Sequence, residues 1–192
     1  MELREEIIKI LLDKLAIGGL LLLVGFLINK SIERFRSAQA LKNELNKQRF
    51  VTQLQFIERQ LSEFYWPIYL RLQKDNAVWR RILDRQKDAD DPLHKIGAEI
   101  EGNFILPNHG EIVKIIEEKI HLAKLDEGLL EPLLMYIKHV AVYKAAKSAG
   151  FNELLPIHLQ EPWPKDFFPL IEIKTKELQA EYDKLLIQYK DA

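Results

Sequence analysis

The hydrophobic pattern of this chain changes character along its length. From Leu15 to Ile28 it reads Leu-Ala-Ile-Gly-Gly-Leu-Leu-Leu-Leu-Val-Gly-Phe-Leu-Ile, with no charge and no proline. Asp13 and Lys14 bound this run on one side, and Asn29 and Lys30 on the other. It is apolar on every face, whereas a helix lying on a small domain shows a single apolar stripe. Fourteen to fifteen residues at about 1.5 Å each span roughly 22 Å, short of a hydrocarbon core of about 30 Å. Ile7, Ile8, Ile10, Leu11 and Leu12 extend the apolar character by nearly two turns, and the stems of Lys9 and Lys14 can snorkel toward headgroups. About ten strongly apolar residues favour insertion by roughly 3 to 6 kcal/mol.

Residues 1–30 therefore read as a membrane anchor. A buried core helix and a cleaved signal are the alternatives. Ala38-Gln39-Ala40 has the form of a cleavage site, but it lies well past the apolar run, and Lys30, Arg34 and Arg36 intervene. The segment is kept in the mature chain.

Beyond the anchor the period is that of a helix. Phe50, Leu54, Ile57, Leu61, Phe64, Ile68, Leu72, Trp79 and Leu83 recur at mostly three- and four-residue steps. Ile32, Phe35, Leu41 and Leu45 carry the pattern back toward the bilayer. This predicts a juxtamembrane helical stalk over 31–60, continuing to about Gln86, with a kink or break near Tyr65-Trp66 because Pro67 removes a backbone donor. Asp88-Ala-Asp-Asp-Pro92 reads as a linker, with Asp91 as cap and Pro92 at the first helical position. A short helix to about Phe104 follows, then a turn at Leu106-Pro-Asn-His-Gly110, with Asn108 or His109 capping the next helix.

That next helix carries Ile112, Ile115, Ile116, Ile120 and Leu122, and Leu125-Asp-Glu-Gly128 breaks it. The following one carries Leu133, Leu134, Ile137, Val140 and Val142 and stops at Gly150. Phe151 to Pro164 is irregular, with Trp163 between Pro162 and Pro164 as a latch pinning a loop to the bundle. Asp166 is placed to cap a last helix bearing Leu170, Ile171, Leu178, Tyr182, Leu185, Leu186 and Tyr189. No strand is expected. The fold class is all-α: an N-terminal transmembrane and stalk helix continuing into a bundle of about four further helices over 61–192.

Composition narrows the function classes. The chain has 28 Lys and Arg against 29 Asp and Glu, a net charge of −1, which gives no support to a nucleic-acid partner. The clustered basic residues follow the anchor: Lys30, Arg34, Arg36, Lys42, Lys47 and Arg49, against Arg4, Lys9 and Lys14 before it. That excess places the large domain in the cytoplasm, and the absence of cysteine agrees with a reducing compartment.

Candidate chemistry is sparse. Glu118-Lys-Ile-His121 has the spacing of half a carboxylate-bridged metal site, but His139 and His158 lack a Glu three residues before them, and no metal or other cofactor is expected. His109-Gly110-Glu111, at an expected helix start, reads as a cap or an anion contact. No nucleophile elbow, phosphate loop or dinucleotide turn is present. Two groups of residues are candidate interfaces. Gly18 and Gly25 share one face of the anchor, with Asn29 one turn beyond, and suit close helix association. Tyr65, Trp66 and Tyr69 surround Pro67 and suit either helix packing or a partner groove.

Three segments carry a resemblance. Leu61-x-x-Phe-Tyr-x-Pro-Ile-Tyr69, His139-Val-Ala-Val-Tyr143 and Pro162-Trp-Pro-x-x-Phe-Phe-Pro169, the last followed by a helix rich in Glu, Leu and Tyr, resemble a family of small bacterial membrane proteins. Its members have one N-terminal transmembrane helix and a helical cytoplasmic domain. The likeness covers most of the chain after Gln60. It implies a bacterial inner-membrane setting and transfers no activity and no site residues. The expectation is a single-pass, non-enzymatic interaction or regulatory module, with the lipid bilayer and a protein as partners and self-association through the anchor. A membrane effector of a phage-defence or toxin system, and a small-molecule sensor with a pocket in the bundle, are the alternatives.

Overall fold

Helix accounts for nearly every position of the computed structural model, which describes residues 2–81, 92–124, 127–151 and 154–190. The side chains of residues 2–13, Ala16, Arg81, 92–94, Glu127 and Lys190 are outside that description. The protein is all-α, and there is no strand among the described residues. The chain divides into two units, Met1–Thr52 and Gln53–Ala192. Residues 53–60 fall in the second unit.

Helix α1 spans Glu2–Gln60. In the first unit the large apolar side chains of its run are exposed: Leu15, Ile17, Leu20 to Val24 and Phe26 to Ile28, with Leu22 at 77%. Ile32, Phe35, Leu41 and Leu45 are exposed as well. Among the described residues no helix is long and apolar enough to cross a membrane.

The second unit is a helical bundle. The chain stays helical through Pro67 instead of breaking: a π-helical turn, Leu61–Tyr65, joins α1 to α2 (Trp66–Arg81). The Trp66 N–H reaches back to the Leu61 carbonyl. The wide turn adds a residue just where proline cannot donate, so the helix accommodates Pro67 without ending. The turn also brings neighbours 64 and 65 inward together, and Phe64 and Tyr65 are both fully buried, ring centroids 5.0 Å apart.

A second correction has the same cause. The expected turn at 106–110 does not exist. Helix α3 (Pro92–Ile100) runs through a second π-helical turn, Glu101–Ile105, into α4 (Leu106–Lys119). Pro107 sits in the first turn of α4, where a missing N–H costs little. Asn108 and His109 therefore cap nothing; both are buried inside the helix. A 3-10 turn, Ile120–Leu122, ends this rod. The expected cap Asp91, and Leu125 and Asp126 of the expected break, lie outside the described residues.

Helix α5 covers Glu127–Ser148 and stops as expected. Gly150 has φ +84°, its N–H bonds the Lys147 carbonyl, and the Phe151 N–H bonds that of Ala146. This is a Schellman motif, which needs a left-handed residue at Gly150. The inward face of α5 is Leu129, Leu133, Tyr136, Val140 and Tyr143, and Leu134 is exposed. The irregular segment holds a 3-10 turn, Pro156–Leu159. Helix α6, Phe167–Lys190, follows, and the Asp166 carbonyl accepts from Leu170 N–H.

α2 packs on α4 and α6, and α5 packs on both of these. The core gathers Ile57, Leu61, Phe64, Ile68 and Leu72 with Ile112, Ile116, Leu133, Val140, Phe167 and Ile171. Polar atoms within it are paired across long separations. Gln60 Nε2 donates to the Leu122 carbonyl at 2.7 Å, and Lys124 N–H donates to the Tyr65 hydroxyl at 3.0 Å. These two bonds tie the junction of α1 and α2 to the end of α4. At the rim, Lys119 and Arg59 hold the Glu63 carboxyl down to about 2.

Truncating Phe64, which has no exposed surface, leaves a cavity among these helices. Phe64→Ala is expected to cost about 3–5 kcal/mol, whereas Phe35→Ala, at 70% exposure, stays within about 0.5 kcal/mol. Chemical denaturation followed by circular dichroism separates them; equal losses would place Phe35 in a core.

Candidate functional site

The most unusual chemistry lies where α2, α4 and α5 meet. Asp75 occupies the α2 register three residues after Leu72, a place that normally takes an apolar side chain. Its residue exposure is 6%. α4 presents Asn108 and His109 one turn before Ile112, and α5 presents Tyr136 one turn after Leu133. All are buried, so burial demands partners.

Most of those partners are present. Asn108 Nδ2 donates to Asp75 Oδ2 at 2.7 Å and to the Arg71 carbonyl at 3.1 Å. The Asn108 Oδ1 accepts from Arg71 Nη1 at 3.0 Å and from Lys74 Nζ at 3.3 Å. His109 Nδ1 and the Tyr136 hydroxyl are 2.7 Å apart, and the same nitrogen lies 3.6 Å from Asp75 Oδ2, too far for a hydrogen bond. Asp75 Oδ1 is buried and has no partner among the described residues.

Trp163 covers this group from the segment before α6. Its ring centroid is 5.5 Å from His109, 5.6 Å from Tyr136 and 5.3 Å from His139. His139 Nδ1 meets the Glu161 carbonyl at 2.9 Å, and Gln160, at φ +62°, makes the turn that presents it. Tyr136 stacks on Phe167 at 4.3 Å. Trp163 is 38% exposed, so its latch is one-sided, with one face packed and the other in solvent. At Gly110 a Cβ would strike the end of the Lys144 side chain; the glycine lets this lysine cross α4 beside His109.

Burial sets the charge states. It pushes the Asp75 carboxyl from 3.8 up to about 6, against the Asn108 hydrogen bond and the charges of Lys74 and Arg71. It pushes His109 from 6.5 down to about 4, helped by His139 and Lys144. Burial, then Asp75, holds the Tyr136 hydroxyl well above its usual 10. Near neutrality Tyr136 keeps its proton and His109 is uncharged, so we assign Tyr136 as donor to His109 Nδ1.

The interface candidates fall elsewhere. Tyr65 is in the core. The Trp66 indole N–H donates to Gln179 Oε1 at 3.1 Å. Tyr69 stacks on Phe168 at 6.1 Å and its hydroxyl lies 3.5 Å from Glu172 Oε1; both half-buried side chains thus face α6. Gly18 and Gly25 have open space around their Cα atoms, and Asn29 reaches only Glu33, at 3.5 Å. His121 and Glu118 are exposed, and among the described residues no three His, Cys, Asp or Glu side chains group to hold a metal. Arg71 and Lys74, with Pro67 and Leu70, line an open groove of about 310 Å³.

The opposed shifts have a thermodynamic signature. Asp75, raised on folding, contributes stability present below 3.8 and lost as pH rises through 6. His109, lowered on folding, contributes stability present above 6.5 and lost as pH falls through 4. Each amounts to about 3 kcal/mol. Between pH 4 and 6 the unfolded chain holds one proton on the histidine and the folded chain one on the aspartate, so the pair contributes almost no slope. Single variants should unmask it. Relative to wild type, His109→Gln loses stability toward pH 7.5 and Asp75→Asn loses it toward pH 4.5, by up to about 3 kcal/mol each. Denaturant titrations at pH 4.5, 5.5 and 7.5 read this directly; parallel profiles for both variants would overturn the charge assignment.

No family model, curated protein or solved structure matches this chain.

Proposed function

We propose that this protein is a single-pass, membrane-anchored helical module of the bacterial inner membrane, non-enzymatic, whose cytoplasmic bundle engages a protein partner. The observation that carries the reading is the exposure of the apolar run of α1. Ten large apolar side chains between Leu15 and Ile28 are in solvent, and each forgoes roughly 1.5–3 kcal/mol that burial would supply. A bilayer is the surrounding that recovers this for a helix apolar on all faces. The uncharged stretch alone is short. Helix α1, however, already runs from Glu2, and residues 7–28 at about 1.5 Å each reach roughly 33 Å, enough for the hydrocarbon core. Lys9, Asp13 and Lys14 then lie toward one interface, where their cost is reduced. The excess of basic residues after Ile28 supports a cytoplasmic bundle.

The bundle supports the rest by its organisation. It has a packed core of its own. In the anchor the Gly18–Gly25 face is uncovered and suits a second copy of the helix. The resemblance to small bacterial membrane proteins points the same way.

Alkaline carbonate extraction of cell membranes tests the anchor. The full chain should remain in the pellet, and a chain lacking residues 1–30 should be soluble with its helical circular dichroism intact. Release of the full chain, or unfolding of the shortened one, would remove the anchor reading. A C-terminal reporter active only in the periplasm should be silent, and strong activity would invert the topology.

A further inference from the structure

Arg71 and Asp75 are one turn apart on α2, the spacing at which an arginine and a carboxylate ordinarily pair. They do not pair. Arg71 Nη1 donates to Asn108 Oδ1, and Asn108 Nδ2 donates to Asp75 Oδ2, so a neutral amide from α4 stands between the two. Lys74 Nζ shares the same amide oxygen. Two cations thus converge on one uncharged acceptor, while Asp75 Oδ1 is buried and has no partner among the described residues.

This arrangement suits an uncharged Asp75. A neutral carboxyl exerts little pull on a guanidinium, and Asn108 is then the better acceptor. An ionised carboxylate would be a buried charge with one bare oxygen, a costly state until a cation reaches it. Of the other charged or titratable groups described around it, Lys74 reaches the same Asn108 oxygen, at 3.3 Å, and its charge also lowers the Asp75 carboxyl, but it is the adjacent residue and does not share the helix face of Asp75 as Arg71 does. His109 is engaged by Tyr136, Tyr136 keeps its proton, and His139 and Lys144 act on His109 from α5. Arg71 shares the face of Asp75 and has the long, forked side chain suited to a carboxylate.

We infer that Asp75, Asn108 and Arg71 form a proton-operated charge switch on the surface of α2. With Asp75 protonated, Asn108 holds Arg71 beside Lys74, and the groove bounded by Pro67 and Leu70 carries two positive charges. With Asp75 ionised, Arg71 turns to Oδ1 and the groove carries one. Acidification therefore strengthens the groove's attraction for an anionic group, and alkalinity weakens it. Burial, which holds the Asp75 carboxyl at about 6, sets the changeover close to neutrality. The switch is independent of the anchor reading.

The test is a pH-resolved mutant cycle on the full chain in zwitterionic detergent, with wild type, Arg71→Gln, Asp75→Asn and the double variant at pH 5 and pH 8. At pH 8, Arg71→Gln should lower the thermal midpoint by roughly several degrees in the wild-type background and much less beside Asp75→Asn. At pH 5 its effect should be the same in both backgrounds. Equal coupling at the two pH values would overturn the switch, as would none at either. Carboxyl carbon NMR of Asp75 supplies a readout that survives a loss of stability. Its titration midpoint should move upward in Arg71→Gln and return in Arg71→Lys, and an unmoved midpoint would show that Arg71 never reaches Oδ1.

Discussion

The bundle depends on a single extra residue in the turn at Leu61–Tyr65. An α-helix passing straight through this stretch would carry one apolar stripe. Around and within the wider π turn Ile57, Leu61, Phe64, Tyr65, Ile68 and Leu72 all join the same core, so two adjacent aromatic residues are buried side by side. It also absorbs Pro67. Gln60 and Tyr65, at and within the turn, make the hydrogen bonds that hold the end of the α4 rod. The contacts of α2 with α4 and α6, and with them the polar cluster, follow from the direction in which this turn releases the chain.

Much of this architecture is legible from periodicity. The helical period of 50–81, the apolar run, the stop at Gly150 and, among the described residues, the absence of strands are all written in the spacing of apolar residues and the placing of glycine. The two prolines misled for one reason. A proline announces a missing donor, but whether the chain breaks, or widens by one residue to dispense with that donor, depends on the packing on either side. Pro67 and Pro107 both took the second course, and so a predicted turn with two capping residues became a continuous helix with those residues buried.

The polar cluster was half visible. Asp75, His109 and Tyr136 each sit in register with an apolar neighbour one turn away, at Leu72, Ile112 and Leu133. A polar residue at a core position is a signal in itself. What spacing cannot supply is that three such positions on three helices meet, or that Asn108, expected at a helix start, supplies the amide that joins two of them. Tyr65, Trp66 and Tyr69 show the converse. An aromatic group around a proline reads equally as interface or core, and here the neighbouring helix α6 meets Trp66 and Tyr69 while Tyr65 enters the core.

The π turns have a consequence for how this chain can change. Each behaves as a one-residue insertion held inside a helix, and each keeps everything beyond it in phase with the core. Loss of one residue from 61–65 would restore an ordinary helix while α2 kept its phase. Phe64 and Tyr65 would then stand about 100° apart around the helix, and Pro67 would meet an unrelieved carbonyl. Elsewhere in a helix a residue lost or gained rotates everything beyond it by about 100°. In these two short stretches a loss is taken up locally, and what they cannot give up is the buried side chains of Leu61, Phe64, Tyr65 and Ile105.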